Sequence, residues 1–423
     1  MRVVIIGAGW SGCAAAIEAK KFADEVILLE RTDLVLGCGN VGGIMRNNGR
    51  YTAAEELIAM GGGELIKTCD ENATHKNLNF PGHEGATLYN VCTIEGSVRR
   101  FLLKSGIDLR LISRVLDVVT KNKKIKKVLL SNGDEIEGDV FIETTGSTGP
   151  MGNCLKYGNG CAMCVLRCPT FGGRVSIAEK AGGRDFSGER ENGNIGAFSG
   201  SCKLDKGTIN KSIVEDVERD GVKIIKLSKE DINMDKLKNK VCQQYALKEF
   251  AENLVLLDTG HIKLMTYYYP LEKLRKIEGF ENVKFIDPYS GGMGNSVRFV
   301  SVTKRDDYMN AIGVDNLFLG GEKSGLIVGH TEAMVSGTLA GYNAVRYALG
   351  KELFKIPNNS LLGDFISYSN NIDNFKDSRV KRYTFSGAEY FARMKELGFY
   401  SRNNDEISLR IEKLGLKDIF NKI

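Results

Sequence analysis

"RVVIIGAGWSGCAAAIEAKKFADEVILLER", residues 2–31, decides the fold. It opens on an apolar run, Arg2 to Ile6, that reads as a buried parallel strand. Gly7, Gly9 and Gly12 follow as G-x-G-x-x-G, with Ala8, Trp10 and Ser11 between them. An Ala-rich helix comes next, then a second apolar strand, "EVILLE", which ends at Glu30 and is followed by Arg31. Each part has a physical reason. Gly7 permits the tight turn from strand to helix, Gly9 lets the backbone approach a pyrophosphate, and Gly12 lets helix and strand pack closely. The helix N-terminus offers unpaired N–H groups to the anion. Glu30 lies about 20 residues on, where an acid accepts from ribose hydroxyls. The glycine motif alone is weak evidence; with strand, helix, second strand and acid in register, it predicts a dinucleotide site. Cys13, in the helix just after the motif, reads as a small packing residue rather than a reactive thiol.

The rest of the chain sets the context. At 423 residues it is too long for one simple core, so two or three domains are expected. It carries 49 Gly but only 6 Pro, and its net charge of +5 is mild. That charge permits contact with an acidic partner or RNA without demanding it. The most basic run, "TKNKKIKK" (120–127), sits between two strand-like segments and reads as a solvated hairpin turn, not a nucleic-acid arm. The N-terminus enters an apolar strand at once, with no cationic region or cleavage pattern, so no signal peptide is expected. No apolar run reaches the roughly 18–20 residues that span a bilayer, so a cytoplasmic location and no membrane partner are expected. Ten cysteines in such a chain do not read as a disulfide framework, and clustered ones ask for a metal or redox reading.

Three further segments refine the cofactor. "LISRVLDVVTKNKKIKKVLLSNGDEIEGDVFIETTGS" (111–147) reads as strand, turn, strand, turn and apolar strand, with "NG" at 132–133 as a turn signal. It resembles the hairpin of FAD-dependent oxidoreductases that leads into their A-T-G motif, here "ETTG", Glu143–Gly146, with Thr145 and Gly146 at its end. "GVDNLFLGGEKSGLIVGHTEAMVSGTLAGYNAVRYALG" (313–350) resembles the second FAD fingerprint of that superfamily. A strand, 316–319, ends at Gly320-Gly321, and a long helix follows with small residues at Ala333, Gly337, Ala340 and Gly341. The resemblance implies that the strand end meets the ribityl–pyrophosphate region and that the helix N-terminus faces the flavin. Glu322 stands where the superfamily has Asp. The third segment, "LGCGNVGGIMRNNG" (36–49), which includes Gly43, is similar to the "C-N-P-A-I-G-G" loop of the GidA-type tRNA-modifying flavoproteins. The carboxy-terminal fingerprint is also similar to that of GidA and of the folate-dependent uracil methyltransferases (TrmFO). The likeness covers about 1–60, 110–150 and 280–350. The middle of the chain and the last 70 residues carry no motif of those families, and the whole reads as an α/β fold: a discontinuous Rossmann-type FAD-binding domain (1–155 and 285–350), an inserted α+β substrate domain (156–284) and a C-terminal helical segment (351–423). Strand signals in the insert are "GVKIIKL" and "LVLLDTGHIKLMTYYYP", with a polar helical stretch near 230–252. The tail has amphipathic patterns at 387–399 and 406–420. No second strand–GxGxxG–helix unit is visible, so a dedicated NAD(P)H domain is not expected.

"GNGCAMCVLRCPTF" (158–171) places Cys161, Cys164 and Cys168 in eight positions, with Pro169 next. This is the last part of the bacterial ferredoxin run, C-x₂-C-x₃-C-P. The run's first cysteine would fall at Gly158; Cys154 can replace it, and Cys202, Cys38 and Cys92 are other fourth ligands. A [4Fe–4S] cluster is one reading. A dithiol is another, since "C-A-M-C" resembles that of low-molecular-weight thioredoxin reductases, although those enzymes carry it in an NADPH domain. Structural zinc or unligated thiols complete the set.

The remaining candidates are few. His330 begins the fingerprint helix, where it could stabilise reduced flavin or contact substrate, or simply cap the helix. Arg46, in the glycine-rich loop, could bind a substrate carboxylate or phosphate or offset reduced-flavin charge. His261, Lys263 and Tyr267–Tyr269 alternate on strands of the insert, as pocket lining or as a half-buried sheet. The expected function is an FAD-dependent oxidoreductase that moves hydride or electrons between a small molecule and flavin, its cysteine centre relaying electrons to a ferredoxin-type carrier. Alternatives are a thioredoxin-reductase-like dithiol flavoenzyme, and a GidA/TrmFO-like RNA-modifying flavoprotein, for which the resemblance implies Cys38 as nucleophile. A non-catalytic flavin sensor is the last reading. Oligomerisation is compatible with all of them.

Overall fold

Five parallel strands carry the dinucleotide turn near their centre. Their order is Leu317–Leu319, Val140–Glu143, Arg2–Ile6, Glu25–Leu29, Asp108–Arg110. Val3 pairs with both Val140 and Val26, Phe141 with Leu317, and Ile27 with Asp108. Apart from the edge strand Asp108–Arg110, the strands are near-continuous buried runs of Val, Ile, Leu and Phe, because both faces of a parallel sheet are covered. The structure is a computed structural model, and it describes residues 1–146, 175–187, 197–199, 202–239, 247–266, 269–286, 296–298, 301–371 and 382–423.

Helix Trp10–Lys20 joins the first two strands and is buried along almost all its length. Its alanines let the fingerprint helix, His330–Ala348, lie directly on it. A Cβ on Gly341 would fall 2.5 Å from the carbonyl oxygen of Ala15, so the small residues noted at 333–341 serve this backbone approach. The expected hairpin is also present. Val115–Lys121 pairs with Lys124–Leu130, which pairs with Glu135–Glu137, and the chain then enters the central sheet. Asn122 and Lys123 both have positive φ, 53° and 60°, as a two-residue type I′ turn requires. The basic run is thus the solvated turn that its flanking strands implied.

A second body of structure is built around the strands Cys202–Leu204, His261–Leu264, Asn253–Thr259 and Val222–Lys226, in that order. Helix Lys211–Asp220 covers one face, with Ile213 and Val217 inside. The other face meets a three-stranded sheet, Ile44–Met45, His83–Tyr89 and Ala73–Phe80. Ile44, Phe80 and Leu88 share a core with Phe250, Val255 and Leu257. This layer therefore draws on chain before residue 90 as well as on the insert. The polar helix expected near 230–252 is different: a 3₁₀ turn at Met234–Asn239 and a single turn at Glu249–Glu252, on either side of 240–246, which lie outside the described residues. The Asn233 side chain accepts from the Asp235 N–H, the local bond by which Asn favours turns over helix interiors.

The tail forms helices Leu361–Tyr368, Ala388–Glu396 and Asn404–Lys413. The last two answer to the amphipathic patterns at 387–399 and 406–420, and each is followed by a glycine of positive φ, Gly398 and Gly415. Phe365, Tyr390, Met394, Ile411 and Phe420 belong to the same core as the two dinucleotide-side helices, so the tail completes that core. Among the described residues no helix is long and apolar enough to cross a membrane.

Candidate functional site

The turn after the first strand gives its three glycines three different environments. Gly7 has φ of +101°, and a Cβ there would lie 2.7 Å from the Thr144 carbonyl. At Gly12 a Cβ would fall 1.9 Å from the Gly7 carbonyl, so only hydrogen fits. A Cβ on Gly9 would meet nothing within 4 Å. Those are the tight turn, the close packing and the open approach that a pyrophosphate-binding turn needs. Helix Trp10–Lys20 has no side-chain cap at Gly9, which leaves its first N–H groups to an anion.

Glu30 ends the second strand beside this turn. Its Oε2 accepts from the Ala8 N–H at 2.9 Å, and its Oε1 from the Thr32 N–H at 2.9 Å and the Thr32 hydroxyl at 3.1 Å, which leaves Oε2 with a lone pair for a ribose hydroxyl. Arg31 follows at the strand end. Two buried polar atoms beside the turn, Ser11 Oγ and Trp10 Nε1, have no hydrogen-bond partner among the described residues. A Cβ on Gly320 would sit 2.3 Å from Ser11 Oγ, so a side chain there would displace the Ser11 hydroxyl. With Gly9 open and Ser11 and Trp10 unsatisfied, the residues fit a bound dinucleotide.

The other fingerprint parts converge here. The Thr144 hydroxyl contacts the carbonyls of Ile6 and Gly7 at 3.0 and 2.6 Å and so pins the glycine turn to the neighbouring strand; Thr145 donates to Glu143 at 2.8 Å, and Gly146 turns with φ of +71°. Gly321 and Glu322 lie in a 3₁₀ turn, Gly321–Lys323, with the Gly321 N–H on Ser336 Oγ at 2.9 Å. Glu322 is 3.9 Å from the Arg382 guanidinium of the tail.

Above the helix N-termini sits the 3₁₀ turn Gly37–Val41, which carries a partly exposed Cys38. His330 Nε2 meets the Gly39 carbonyl at 2.7 Å, so that nitrogen carries the proton and donates. Its ring lies edge-on to Trp10 at 5.1 Å. His330 therefore fastens the fingerprint helix to the loop that bears Cys38. Gly43, with φ of +77°, packs on Thr259 of the second body.

Arg46 is turned elsewhere. It binds Asp70 through two nitrogens, at 2.7 and 2.5 Å, and Glu55 at 2.5 Å. Its positive charge is matched by two carboxylates of its own chain, which gives it a holding role between loop and helices. Cys13 is fully buried, its thiol facing the Ala8 carbonyl, and burial pushes the thiol up to about 12, as suits a packing residue. Lys263 is buried and reaches the Gly42 carbonyl, and Tyr269 is buried in the second core; Tyr267 and Tyr268 lie outside the described residues.

Cys154, Cys161, Cys164 and Cys168 also lie outside the described residues. Among the described residues no group of three His, Cys, Asp or Glu side chains could hold a metal. Cys202, one alternative fourth ligand, is buried in the second core, and Cys92, another, faces His261. The iron–sulfur expectation thus gains no support.

Sequence reasoning missed a buried ion cluster beneath the fingerprint. Lys323, fully buried, binds both oxygens of Asp185 at 2.6 Å and Ser176 Oγ at 2.8 Å, and lies 3.6 Å from Glu143. The signal was "GGEKSG": a lysine inside a glycine-rich turn between a buried strand and a buried helix needs a carboxylate partner.

Comparison with known proteins agrees with this geometry. The family model for glucose inhibited division protein A, GidA, matches residues 2–255 and 257–352. The chain belongs to the GidA family. It is a GidA/TrmFO-like, FAD-dependent flavoprotein. Over 143 residues, 34% of the chain, it is 32% identical to the methylenetetrahydrofolate–tRNA-(uracil-5-)-methyltransferase TrmFO of Lactobacillus johnsonii. Over 121 residues, 29% of the chain, it is 29% identical to the TrmFO of Aquifex aeolicus. These matches cover 30% and 26% of the two relatives' lengths. The solved structure of GidA from Aquifex aeolicus superposes with a TM-score of 0.64 at 17% identity, over 100% of this chain and 74% of that one, and shows the shared fold.

Proposed function

We propose that this GidA-family chain is an FAD-dependent enzyme whose flavin acts on a uridine of a structured RNA. The observation that carries the FAD site is the open side of Gly9 beside the unsatisfied Ser11 and Trp10. The named activity of the TrmFO relatives supplies the substrate class. When bound, FAD supplies the redox chemistry. The chain's own residues hold and orient it: the Gly7–Gly12 turn and helix N-terminus take the pyrophosphate, and Glu30 the ribose. His330 holds the loop through Gly39, and Cys38 on that loop is the nucleophile candidate. The net charge of +5 permits RNA binding without arguing for it, and contacts to phosphates would make that binding salt-dependent.

The test is purified chain assayed for bound FAD, for affinity to unmodified tRNA at two salt concentrations, and for folate-dependent methylation of uridine. Salt-dependent binding with flavin-dependent product supports the reading; no binding at low salt overturns the RNA part. One observation favours a second reading, an oxidoreductase acting on a small molecule: the C-x₂-C-x₃-C-P spacing of Cys161, Cys164 and Cys168, with Cys154 as fourth thiol. Such a centre would pass electrons to a ferredoxin-type carrier or act as a dithiol. Iron and sulfide analysis of anaerobically purified protein decides it.

A further inference from the structure

Away from the dinucleotide turn, a thiol, an imidazole and an ammonium meet at the surface. Cys92 lies in the turn before helix Ile94–Lys104. Its own N–H is held by Asn90 Oδ1 at 2.9 Å, and the neighbouring Val91 N–H donates to the Thr259 carbonyl at 3.0 Å. These bonds dock the turn on the hairpin Thr259–Gly260–His261. Gly260 is required there, because a Cβ would fall 2.2 Å from Asn90 Oδ1. The result brings the exposed Cys92 Sγ to 3.3 Å from His261 Nε2.

Lys203 completes the group. It pairs across the sheet with Lys263, on the same face as His261 and one diagonal step from it. Its ammonium acts electrostatically on Cys92, and among the described residues no carboxylate pairs with it. Burial brings Lys203 down to about 8, against the pull of Cys92, so it remains mostly charged at neutral pH. Burial, then Lys203, also lower the basicity of His261; Asp205 opposes this and Lys206 adds to it. Asp258, on the same hairpin, is tied to His75 and Lys206. These influences favour the neutral imidazole, whose Nε2 stands within reach of the thiol proton.

We infer that Cys92, His261 and Lys203 form a thiol-exchange site for a small disulfide that carries a carboxylate. The thiol proton passes to His261 Nε2. The Cys92 thiolate attacks one sulfur of the disulfide, a new S–S bond forms, and the old one breaks. The departing thiolate takes the proton back from His261, so one disulfide and one thiol yield one mixed disulfide and one thiol. Lys203 supplies the cation that holds the carboxylate beside the reacting sulfur.

The test uses the full chain with its flavin, reacted with two probes: dianionic 5,5′-dithiobis(2-nitrobenzoate) and dicationic cystamine. Mass spectrometry of the Cys92 peptide reads the rate. Cys92 should react first among the described cysteines. His261→Gln should slow both probes about tenfold. Lys203→Met should slow the anionic probe several-fold and leave or speed the cationic one, a reversal that misfolding would not give. Equal Cys92 rates, within about twofold, in wild type and both variants would overturn the proposal.

Discussion

Gly337 lies so close to Ser11 that a Cβ on it would fall 2.2 Å from the Ser11 carbonyl oxygen. The two helices that frame the dinucleotide turn thus touch through backbone. Gly337→Val should cost about 1–3 kcal/mol by overpacking and weaken FAD retention with it. Urea unfolding and flavin content read the two effects, and unchanged stability would contradict the contact.

Gly9 and Gly12 separate binding from folding. Gly9 has φ of −68° and open space beyond it, so Gly9→Ala should stay within about 0.5 kcal/mol of wild-type stability. Its methyl would point where the pyrophosphate belongs, so FAD affinity should fall about tenfold or more. Gly12→Ala should lose stability as well, because its methyl meets the Gly7 carbonyl. Unfolding curves beside FAD titrations distinguish the pair.

Glu332 ties the tail to the fingerprint helix. Its buried carboxylate accepts from Arg50 at 3.0 and 3.1 Å, from Thr384 at 2.6 Å and from the Phe385 N–H at 2.8 Å. Glu332→Ala leaves the Arg50 charge buried without that carboxylate and should cost about 3–5 kcal/mol. Limited proteolysis should then cut within 382–423 faster than in wild type.

His83 sets an acid response. Burial lowers it from 6.5 to about 3, with Nδ1 donating to the Pro81 carbonyl at 2.9 Å and the ring stacked on Phe80. The unfolded chain binds a proton near pH 6.5 that the folded chain refuses. The associated stability is therefore full above that pH and is lost as pH falls toward 3. His83→Gln should be less stable than wild type at pH 7, and the gap should narrow by up to about 1.4 kcal/mol per pH unit below 6.5. A gap that holds constant would contradict a buried, neutral His83.

Most of the dinucleotide half was legible because its signals are local. Gly7, Gly9, Gly12 and Glu30 lie within one strand–helix–strand unit, and the hairpin at 115–143 carries its own turn residues. The strand Ala73–Phe80 was not legible: most of its side chains are polar and its pairing with His83–Tyr89 is broken by register shifts, so no alternation survives. Arg46 was misleading in sequence, since it lies in a loop and its partners Glu55 and Asp70 lie 9 and 24 residues away on two helices. The Cys92–His261 pair spans 169 residues and could only be found in three dimensions.

Binding of FAD on the Gly7–Gly12 turn has a built-in reporter. Trp10 is the sole tryptophan of the chain and lies inside that turn. The decisive measurement is a titration of flavin-free protein with FAD, followed by Trp10 emission. Saturable quenching should end at one FAD per chain in wild type and be weakened in Gly9→Ala. Folded protein whose Trp10 emission ignores FAD, and which retains no flavin through gel filtration, would contradict it.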